Sequence, residues 1–326
     1  EIECDRIIAR LGALPPRKFL ESCGIEFASD EPNSVPSVSG KYESNVKGLF
    51  IIGSLAGYPL IKQCVNQGYE VIEFICGRDV EPADESLLWD KIKCIPNVKN
   101  VNEGIEVIRS EVPTFSSLTP LQLREFLLDS DIYEADLGQT LIEYNDYTNT
   151  FFSIISGEVD IRLTPDDPND TVSIGSGNFF GEMSLISGRR RSATITAGKN
   201  CIVIETPRRS MNKLINSVES VKRVINDTFI SRAIKMHLAP GLDDEEISEV
   251  IASATLSEFK PNEIIFSEGD AGDSLHLIRS GSVTVSKIIG DKTTTLAYLP
   301  AGNYFGEMAL LNDAPRSATI KTAVAT

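Results

Sequence analysis

Residues 179–194, FFGEMSLISGRRRSAT, recur in modified form as residues 304–319, YFGEMALLNDAPRSAT. Gly181 aligns with Gly306, and Arg191 aligns with Arg316, each at an offset of 125 residues. Periods of about 20–50 residues are typical of solenoids. An offset as long as a small domain instead indicates two complete globular modules within one chain.

Length and composition fit a multidomain globular protein. The chain has 326 residues, of which 41% are hydrophobic and 24% charged, and this leaves room for two or three domains. Its net charge of -16 argues against nucleic acid as a partner, because such binding depends on Lys and Arg neutralising phosphates. The apolar stretch at 48–61 is too short to cross a membrane, so no membrane partner is expected. A small anionic ligand beside the local arginines remains compatible with the composition.

The cysteines predict reduced thiols rather than a metal site. No Cys-x-x-Cys pair occurs, and the only histidines are His237 and His276, so the spacing of a zinc site is absent. We expect buried, reduced cysteines in a cytoplasmic protein. The six cysteines are Cys4, Cys23, Cys64, Cys76, Cys94 and Cys201.

The order of elements predicts an α+β chain. The segment 104–131 reads as helical, with Thr119 as an N-cap and Gln122 in the capping-box position. Asp243 caps a second helical prelude of the same kind. Short alternating strands with Gly-rich turns follow each prelude, which indicates two antiparallel barrels or jelly rolls with flanking helices. The run 208–238 reads as a helix that packs on a barrel, whereas 79–90 reads as a loop.

The repeated motif also carries a chemical pattern. A glycine before Glu182 lets the backbone approach a ligand closely, and Arg191 can bind an anion with its planar guanidinium. Glu182 accepts hydrogen bonds only, so it suits a sugar hydroxyl. The alternative is a surface ion pair of no functional meaning. Because the Glu-to-Arg spacing of nine residues recurs at Glu307 and Arg316, the pattern favours a ligand with phosphate and ribose.

These two stretches resemble the phosphate-binding cassette of cyclic-nucleotide-binding domains, and their tandem order resembles regulatory subunits of cyclic-nucleotide-dependent kinases. The resemblance covers about 113–326. It implies that cAMP or cGMP is the ligand, that the glutamates bind the ribose 2'-hydroxyl and that the arginines bind the cyclic phosphate. The residues implied as ligand-binding are Gly181, Glu182, Ser184, Arg191 and Ser192 in the first copy, and Gly306, Glu307, Ala309, Arg316 and Ser317 in the second.

Some features of the cassettes leave alternatives open. The serines that follow the two arginines do not choose between cAMP and cGMP. Phe229 is the candidate for the aromatic lid of the first site. We expect Arg189 and Arg190 to face solvent. The sequence RRRS, residues 189–192, also matches a site for a basophilic kinase, although the cassette accounts for it as well.

The N-terminal region suggests a second resemblance. Residues 47–75 read as a strand, a Gly-rich turn and a helix, with Gly53 and Gly57 in the turn. Tight packing of strand on helix is the alternative to ligand binding. With 6–27, the segment resembles the C-terminal part of thioredoxin-reductase-like flavin oxidoreductases. This implies FAD contacts at Gly53, Ser54 and Gly57, and a homodimer through that part. Ser54 departs from the family's aspartate.

The predicted domains are an oxidoreductase fragment at 1–78, a linker at 79–112, and cyclic-nucleotide-binding domains at 113–237 and 238–326, the last cut short at its C-terminal end. We expect a chain that starts at Glu1 to belong to something longer. The function expected first is a second-messenger sensor for an attached oxidoreductase. The alternatives are a FAD- and NAD(P)H-dependent disulfide oxidoreductase with its catalytic part upstream, and a transcription regulator of the catabolite-activator type. No dinucleotide fingerprint occurs, so this chain alone is not expected to oxidise NAD(P)H.

Overall fold

A computed structural model describes residues 16–27, 34–58, 61–163, 167, 170–237 and 241–326. It contains two compact units. The first comprises the described residues up to Lys93 together with Val98–Glu106 and Leu118–Leu128. The second comprises Cys94–Asn97, Val107–Ser117 and Asp129–Thr326, and it contains both copies of the cassette.

Helices dominate the chain before the first strand. They are α1 (Arg17–Ser22), a 3-10 turn (Gly53–Ala56), α2 (Ile61–Ile75), α3 (Glu85–Ile92), α4 (Val101–Glu111), a second 3-10 turn (Pro113–Phe115) and α5 (Pro120–Leu128). The predicted capping box is present at α5, since Thr119 Oγ1 accepts from the Gln122 amide at 3.2 Å and Gln122 Oε1 accepts from the Thr119 amide at 2.9 Å. The apolar core of the first unit is formed by Leu20, Ile25, Tyr42, Ile51, Ala56, Tyr58, Val71 and Leu121.

Part of the predicted loop at 79–90 is helical instead. Helix α3 lies there, and Leu88 and Ile92, one turn apart, are fully buried. Asp84 precedes α3 but does not cap it. Its carboxylate binds Arg124 of α5 at 2.7 Å, and Glu85 binds the same guanidinium at 2.6 Å. The acidic residues at the start of this stretch therefore bind α3 to α5 through Arg124.

The strand expected at the start of 47–75 does not form. Phe50 makes one isolated bridge with Glu43, and the next residues lead directly into the 3-10 turn. Without a row of backbone partners, an extended segment remains irregular. The glycine turn and the following helix α2 do form in the predicted order.

Eight strands build the first cassette domain: β1 (Asp131–Ala135), β2 (Thr140–Ile142), β3 (Thr150–Ser156), β4 (Glu158–Arg162), β5 (Thr171–Gly175), β6 (Phe179–Phe180), β7 (Thr194–Ala197) and β8 (Cys201–Pro207). They pair antiparallel in two sheets, ordered β1-β8-β3-β6 and β2-β7-β4-β5. One core cluster draws Phe152 and Val203 from the first sheet and Val159 and Ile195 from the second, so the sheets face each other. The α+β class and antiparallel sheets are as predicted. Helix α6 (Glu182–Ser187) lies between β6 and β7.

Three helices follow β8: α7 (Arg208–Ser217), α8 (Glu219–His237) and α9 (Asp244–Ser253). The predicted run at 208–238 is thus helical, with a break where Val218 adopts an extended conformation. Four residues of α8 at intervals of four, Val221, Ile225, Phe229 and Ala233, are buried. Asp243 forms the predicted cap of α9 as a full capping box.

The second cassette domain repeats six of these eight strands in its described residues. Its strands are β9 (Ile264–Phe266), β10 (His276–Leu277), β11 (Ser282–Ile289), β12 (Lys292–Pro300), β13 (Tyr304–Phe305) and β14 (Thr319–Thr322), with α10 (Glu307–Asn312) between the last two. The order β12-β11-β14-β9 repeats β5-β4-β7-β2, and the pair β10-β13 repeats β3-β6. Counterparts of β1 and β8 do not occur among the residues described here.

The cysteines in the described part of the chain differ in burial. Cys201 is buried, and this burial raises the pKa of its thiol to about 11. Cys23 and Cys76 are exposed, which contradicts the prediction that the thiols are buried. Both lie near the ends of helices in the first unit, where little packs over them. Within the described ranges, no helix has the length and apolar character needed to cross a membrane.

Candidate nucleotide-binding sites

In each cassette, the glycine before the short helix leaves space for the arginine, and a side chain there would displace it. Gly181 and Gly306 adopt φ angles of +90° and +93° before α6 and α10, a region that disfavours side chains. A Cβ atom at Gly181 would lie 2.8 Å from Arg191 Nη1, and one at Gly306 would lie 2.7 Å from Arg316 Nη1. The glycine therefore makes room for the guanidinium as well as for the turn.

Arg191 is buried at the centre of the first site. Its guanidinium makes five hydrogen bonds, all to neutral acceptors: Thr148 Oγ1 at 2.7 Å, Gly181 O at 3.3 Å, Ser184 Oγ at 2.9 Å, and Thr150 O at 2.6 Å and Oγ1 at 3.3 Å. Burial lowers the pKa of Arg191, although nearby carboxylates, Asp146 first, oppose this shift. Since arginine stays protonated in proteins, the site holds a positive charge to which no carboxylate of the described residues is bound directly.

Glu182 supplies a buried negative group in the same site. Its side chain is almost fully buried, at 1% exposure. Glu182 Oε1 lies 2.7 Å from Arg232 Nη1 of α8, but this ion pair lacks the alignment of a hydrogen bond. Neither carboxylate oxygen has a hydrogen-bond partner in the described part of the chain. Buried acceptors are nearly always satisfied, so this carboxylate is suited to accept from a ligand hydroxyl.

A cavity of about 190 Å³ connects these groups. The five residues predicted for the first site, Gly181, Glu182, Ser184, Arg191 and Ser192, all line it. The rest of the wall is mainly apolar, with contributions from Ile142, Ile161, Val172, Ile174, Phe180 and Ile195. An apolar cavity with a few convergent polar groups is the usual form of a small-molecule site.

Two residues of α8 complete the wall and were not predicted. Arg232 and Met236 line the cavity, and Arg232 also donates to Phe179 O at 2.8 Å. Phe229, the predicted lid, is instead fully buried and does not line the cavity. The prediction is wrong because the helix turns Phe229 toward the protein core. Met236, seven residues later, lies on the cavity side.

The second cassette holds its arginine with fewer hydrogen bonds. Arg316 donates to Gly306 O and Ser274 Oγ, both at 3.0 Å. Its guanidinium carbon lies 4.1 Å from the centre of the Phe266 ring, a cation–π contact. Its Nε is buried without a hydrogen-bond partner in the described ranges. Arg316 is therefore buried, like Arg191, but one of its donors remains available.

The other residues predicted for the second site are unevenly buried. Ala309 is buried, Glu307 and Gly306 are partly buried, and Ser317 is exposed. Behind the cassette, His276 stacks on Phe305 with ring centres 4.9 Å apart. Burial, and then the charge of Arg316, lower the pKa of His276.

The two other arginines of the first cassette are exposed, as predicted, but both make hydrogen bonds. Arg190 donates to Asn145 O of its own domain at 2.9 Å. Arg189 donates to Ala301 O of the second cassette domain at 2.8 Å. Only Arg191 of the three lines the cavity.

Packing within the first unit accounts for the two glycines that were predicted to bind flavin. The Gly53 amide donates to Gln67 Oε1 at 2.7 Å, so it is not available to a ligand. A Cβ atom at Gly53 would lie 2.8 Å from Cys64 Sγ, and one at Gly57 would lie 3.2 Å from Val35. Ser54 is exposed. These contacts favour the alternative of tight packing. Gly12 and Pro15, part of the same resemblance, lie outside the described residues.

Both cassettes lie in segments that are similar to one known domain family. The cyclic nucleotide-binding domain matches residues 134–218 and 256–326. The chain is 30% identical over 206 residues to the cAMP-dependent protein kinase regulatory subunit of Yarrowia lipolytica, covering 63% of this chain and 53% of that one. It is 33% identical over 183 residues to a cGMP-dependent protein kinase of Plasmodium berghei, covering 56% of this chain and 20% of the kinase.

One solved structure that matches is the regulatory domain of Toxoplasma gondii PKA with cAMP, at 25% identity, 68% coverage of this chain, 84% of that chain and a TM-score of 0.34. The chain spans about half or less of the curated relatives' length. These matches give no support to the oxidoreductase resemblance of 1–78, which stays a prediction. The two cassettes thus lie in segments that match the cyclic nucleotide-binding domain, and their tandem order is similar to that of cAMP-dependent protein kinase regulatory subunits.

Proposed function

We propose that the first domain binds a cyclic nucleotide in the cavity between its cassette and α8. The observation that carries this proposal is the pairing of a buried, unsatisfied carboxylate at Glu182 with a buried guanidinium at Arg191 on one apolar cavity. Glu182 accepts a hydrogen bond from the ribose 2'-hydroxyl, and Arg191 binds the cyclic phosphate. The apolar wall takes the base.

The second domain binds its nucleotide in the same manner through Glu307 and Arg316. Its cassette has the same glycine turn, and the buried Arg316 Nε, which has no partner in the described ranges, is a donor for the phosphate. The ligand class is a nucleoside 3',5'-cyclic monophosphate at both sites. The serines at 192 and 317 fit cAMP and cGMP equally, so the base is decided by experiment.

The role that fits two such sites is regulation. The relatives named above are a regulatory subunit and a kinase governed by cyclic nucleotides, as their names state. In this chain, α8 brings Arg232 to the first site and continues toward the second domain. Ligand that competes with Arg232 for Glu182 acts directly on this helix. We therefore assign the chain the role of a sensor that reports cyclic nucleotide to an effector.

Isothermal titration calorimetry tests the binding function. Titration with cAMP and with cGMP should show two binding events for at least one of them, and linear 5'-AMP should compete poorly because it carries more charge and bulk than the cyclic phosphodiester. A double variant, Arg191→Ala with Arg316→Ala, is the control and should bind both nucleotides roughly ten- to a hundred-fold more weakly at each site. Equal competition by 5'-AMP would show that the pocket serves another ligand.

The effector is a separate question. The resemblance of 1–78 predicts a flavin oxidoreductase, attached or associated. Since the Gly53 amide and the space beside Gly57 are taken by protein contacts, we expect the purified chain to show neither flavin absorbance nor NAD(P)H oxidation. A yellow protein with stoichiometric flavin would overturn this expectation and revive the enzyme alternative.

A further inference from the structure

The basic run before Ser192 is used only in part by the nucleotide site. Arg191 lines the cavity, whereas Arg189 and Arg190 are exposed and each donates one hydrogen bond to a backbone carbonyl. In a chain of net charge -16, three consecutive arginines form a distinct local feature. A serine that directly follows several arginines presents the charge pattern that basophilic serine/threonine kinases select with acidic groups in their substrate grooves.

Two other serines of this chain, Ser317 and Ser210, each have only part of that pattern. Ser317 occupies the equivalent cassette position and is exposed, but Asp313, Ala314 and Pro315 precede its single arginine. Ser210 follows two arginines, Arg208 and Arg209, but it is buried and donates to Asp129 Oδ2 at 2.9 Å. Of these three serines, Ser192 alone is both exposed and preceded by three arginines.

The surroundings of Ser192 allow a kinase to reach it. The segment from Gly188 to Ser192 lies between α6 and β7 and belongs to no helix or strand. Two backbone hydrogen bonds fix Arg191, from Asn145 N to Arg191 O at 2.9 Å and from Arg191 N to Asp146 O at 3.0 Å. A kinase that binds this segment in extended form opens these two bonds together with the side-chain hydrogen bonds of the three arginines.

We propose that Ser192 is a phosphorylation site for a basophilic serine/threonine kinase, and that phosphoserine at this position excludes cyclic nucleotide from the first site. The second half of this proposal rests on the proposed function. In the reaction, Ser192 Oγ forms a bond to the γ-phosphorus of ATP, the bond to the β-phosphate oxygen breaks, and ADP leaves with that electron pair. The hydroxyl proton passes to the base of the kinase.

The effect on binding follows from charge and position. A phosphoserine carries about -1.5 to -2 charges at pH 7, and Ser192 lines the cavity that holds Arg191 and the carboxylate of Glu182. The cyclic phosphate brings a further negative charge to the same place. Repulsion, together with competition for Arg191, should weaken binding at the first site by at least about tenfold. Conversely, bound nucleotide holds Arg191 in place, so it should slow phosphorylation.

Mass spectrometry with site localisation tests the modification. The folded chain is incubated with ATP and the catalytic domain of a basophilic kinase, with Ser192→Ala and the double variant Arg189→Ala, Arg190→Ala in parallel. We expect one phosphate at Ser192, none there in Ser192→Ala, and a much slower reaction in the double variant. Ser317 should stay unmodified for lack of arginines. Phosphate on the buried Ser210 alongside Ser192 would show that the kinase modifies unfolded protein and would overturn Ser192 as a site of the folded chain.

Calorimetry of the phosphorylated chain tests the consequence. Affinity for cyclic nucleotide should fall at the first site and stay unchanged at the second. Failure of the kinase to modify Ser192 in the folded chain would overturn the site, and unchanged affinity after full modification would overturn the exclusion. If the unmodified chain bound no cyclic nucleotide, the proposed function would fail, while the mass measurement would still decide whether Ser192 is modified.

Discussion

The two cassettes share one local geometry and differ in what surrounds it. Both place a glycine of positive φ before a six-residue helix, and both bury the arginine over that glycine. In the first domain, α8 adds Arg232 beside a fully buried Glu182. In the second, Glu307 is only half-buried and makes no ion pair within the described ranges. The repeated motif thus determines the contact between its glycine and its arginine. The rest of each domain determines how deeply the glutamate is buried and whether it forms an ion pair.

Loss of either arginine should have the largest effect, and the two losses should be independent. Arg191→Ala should weaken binding at the first site roughly ten- to a hundred-fold, because a buried, charge-assisted hydrogen-bonded contact contributes about 1.5–3 kcal/mol. Arg316→Ala should do the same at the second site. Lys at either position should recover only part, since it cannot bind two oxygens at once. Calorimetry on each variant measures both sites.

Arg190→Ala is the matched control for this comparison. Arg190 adjoins Arg191, but it donates to Asn145 O and does not line the cavity. Its loss should change affinity little. If Arg190→Ala abolished binding and Arg191→Ala did not, the cassette would be assigned in the wrong register.

Neutralising either glutamate should lower affinity, and the loss should be larger in the first domain than in the second. Glu182→Gln should lower affinity at the first site about five- to tenfold, because hydrogen bonds to a charged acceptor are roughly twice as strong as neutral ones. Glu307→Gln should have a smaller effect, about two- to threefold, because solvent already weakens the field of a half-buried carboxylate. Competition binding with a fluorescent cyclic nucleotide measures both. Equal losses would mean that burial of Glu182 does not strengthen its contact.

Removal of Arg189 should uncouple the domains without disabling either one. Two separate modules are expected to behave additively, but the hydrogen bond from Arg189 to Ala301 O joins the first cassette to the strand end before the second. Such a bond is worth about 0.5–1.5 kcal/mol, so Arg189→Ala should reduce any effect of one bound site on the other by a factor of about two to ten. Titration of the first site with the second empty or saturated provides the measurement.

The control for coupling is again Arg190→Ala, whose acceptor lies in its own domain. Coupling that is the same in both variants and in the unaltered chain would exclude Arg189 as the connection.

The smallest expected effect is a pH dependence confined to the second domain. The folded pKa of His276 is lowered from its ordinary value of 6.5, so the unfolded chain takes up a proton first. Its contribution to stability is complete above pH 6.5 and is lost as the pH falls through that value and toward the folded pKa. His276→Phe, which preserves the stack on Phe305, should reduce the loss of stability between about pH 7.5 and about pH 5.5 in urea unfolding. If the free energy of unfolding changed with pH in the variant as it does in the unaltered chain, His276 would not be the source of the pH dependence.

The sequence predicted features set by residues close together in the chain and missed contacts made by residues far apart in it. The glycine turns, the capping box at Thr119, the cap at Asp243 and the antiparallel class each follow from residues a few positions apart. Arg232 and Met236 follow Glu182 by about fifty residues, on a helix whose apolar spacing indicates packing alone. No local pattern marks which residue of such a helix reaches a cavity, and the choice of Phe229 was wrong for that reason.

The acceptors of Arg191 were missed for a related reason. Thr148 and Thr150 lie in a stretch that lacks the glycines of the second copy, so the comparison of copies showed only a departure there. In the fold this stretch reaches the guanidinium with its hydroxyl and carbonyl oxygens. Helix α3 was missed because acidic residues and Pro82 precede it, a composition typical of loops.

The five hydrogen bonds of Arg191 also determine how quickly the domains respond. A cyclic phosphate that binds there has to replace the bonds to Thr148, Thr150 and Ser184, so we expect a protein rearrangement, rather than diffusion, to limit association at the first site. Arg316 keeps a vacant donor and only two hydrogen bonds to break. We therefore expect the second domain to fill first during a brief pulse of cyclic nucleotide, and both domains to be occupied only under a sustained signal.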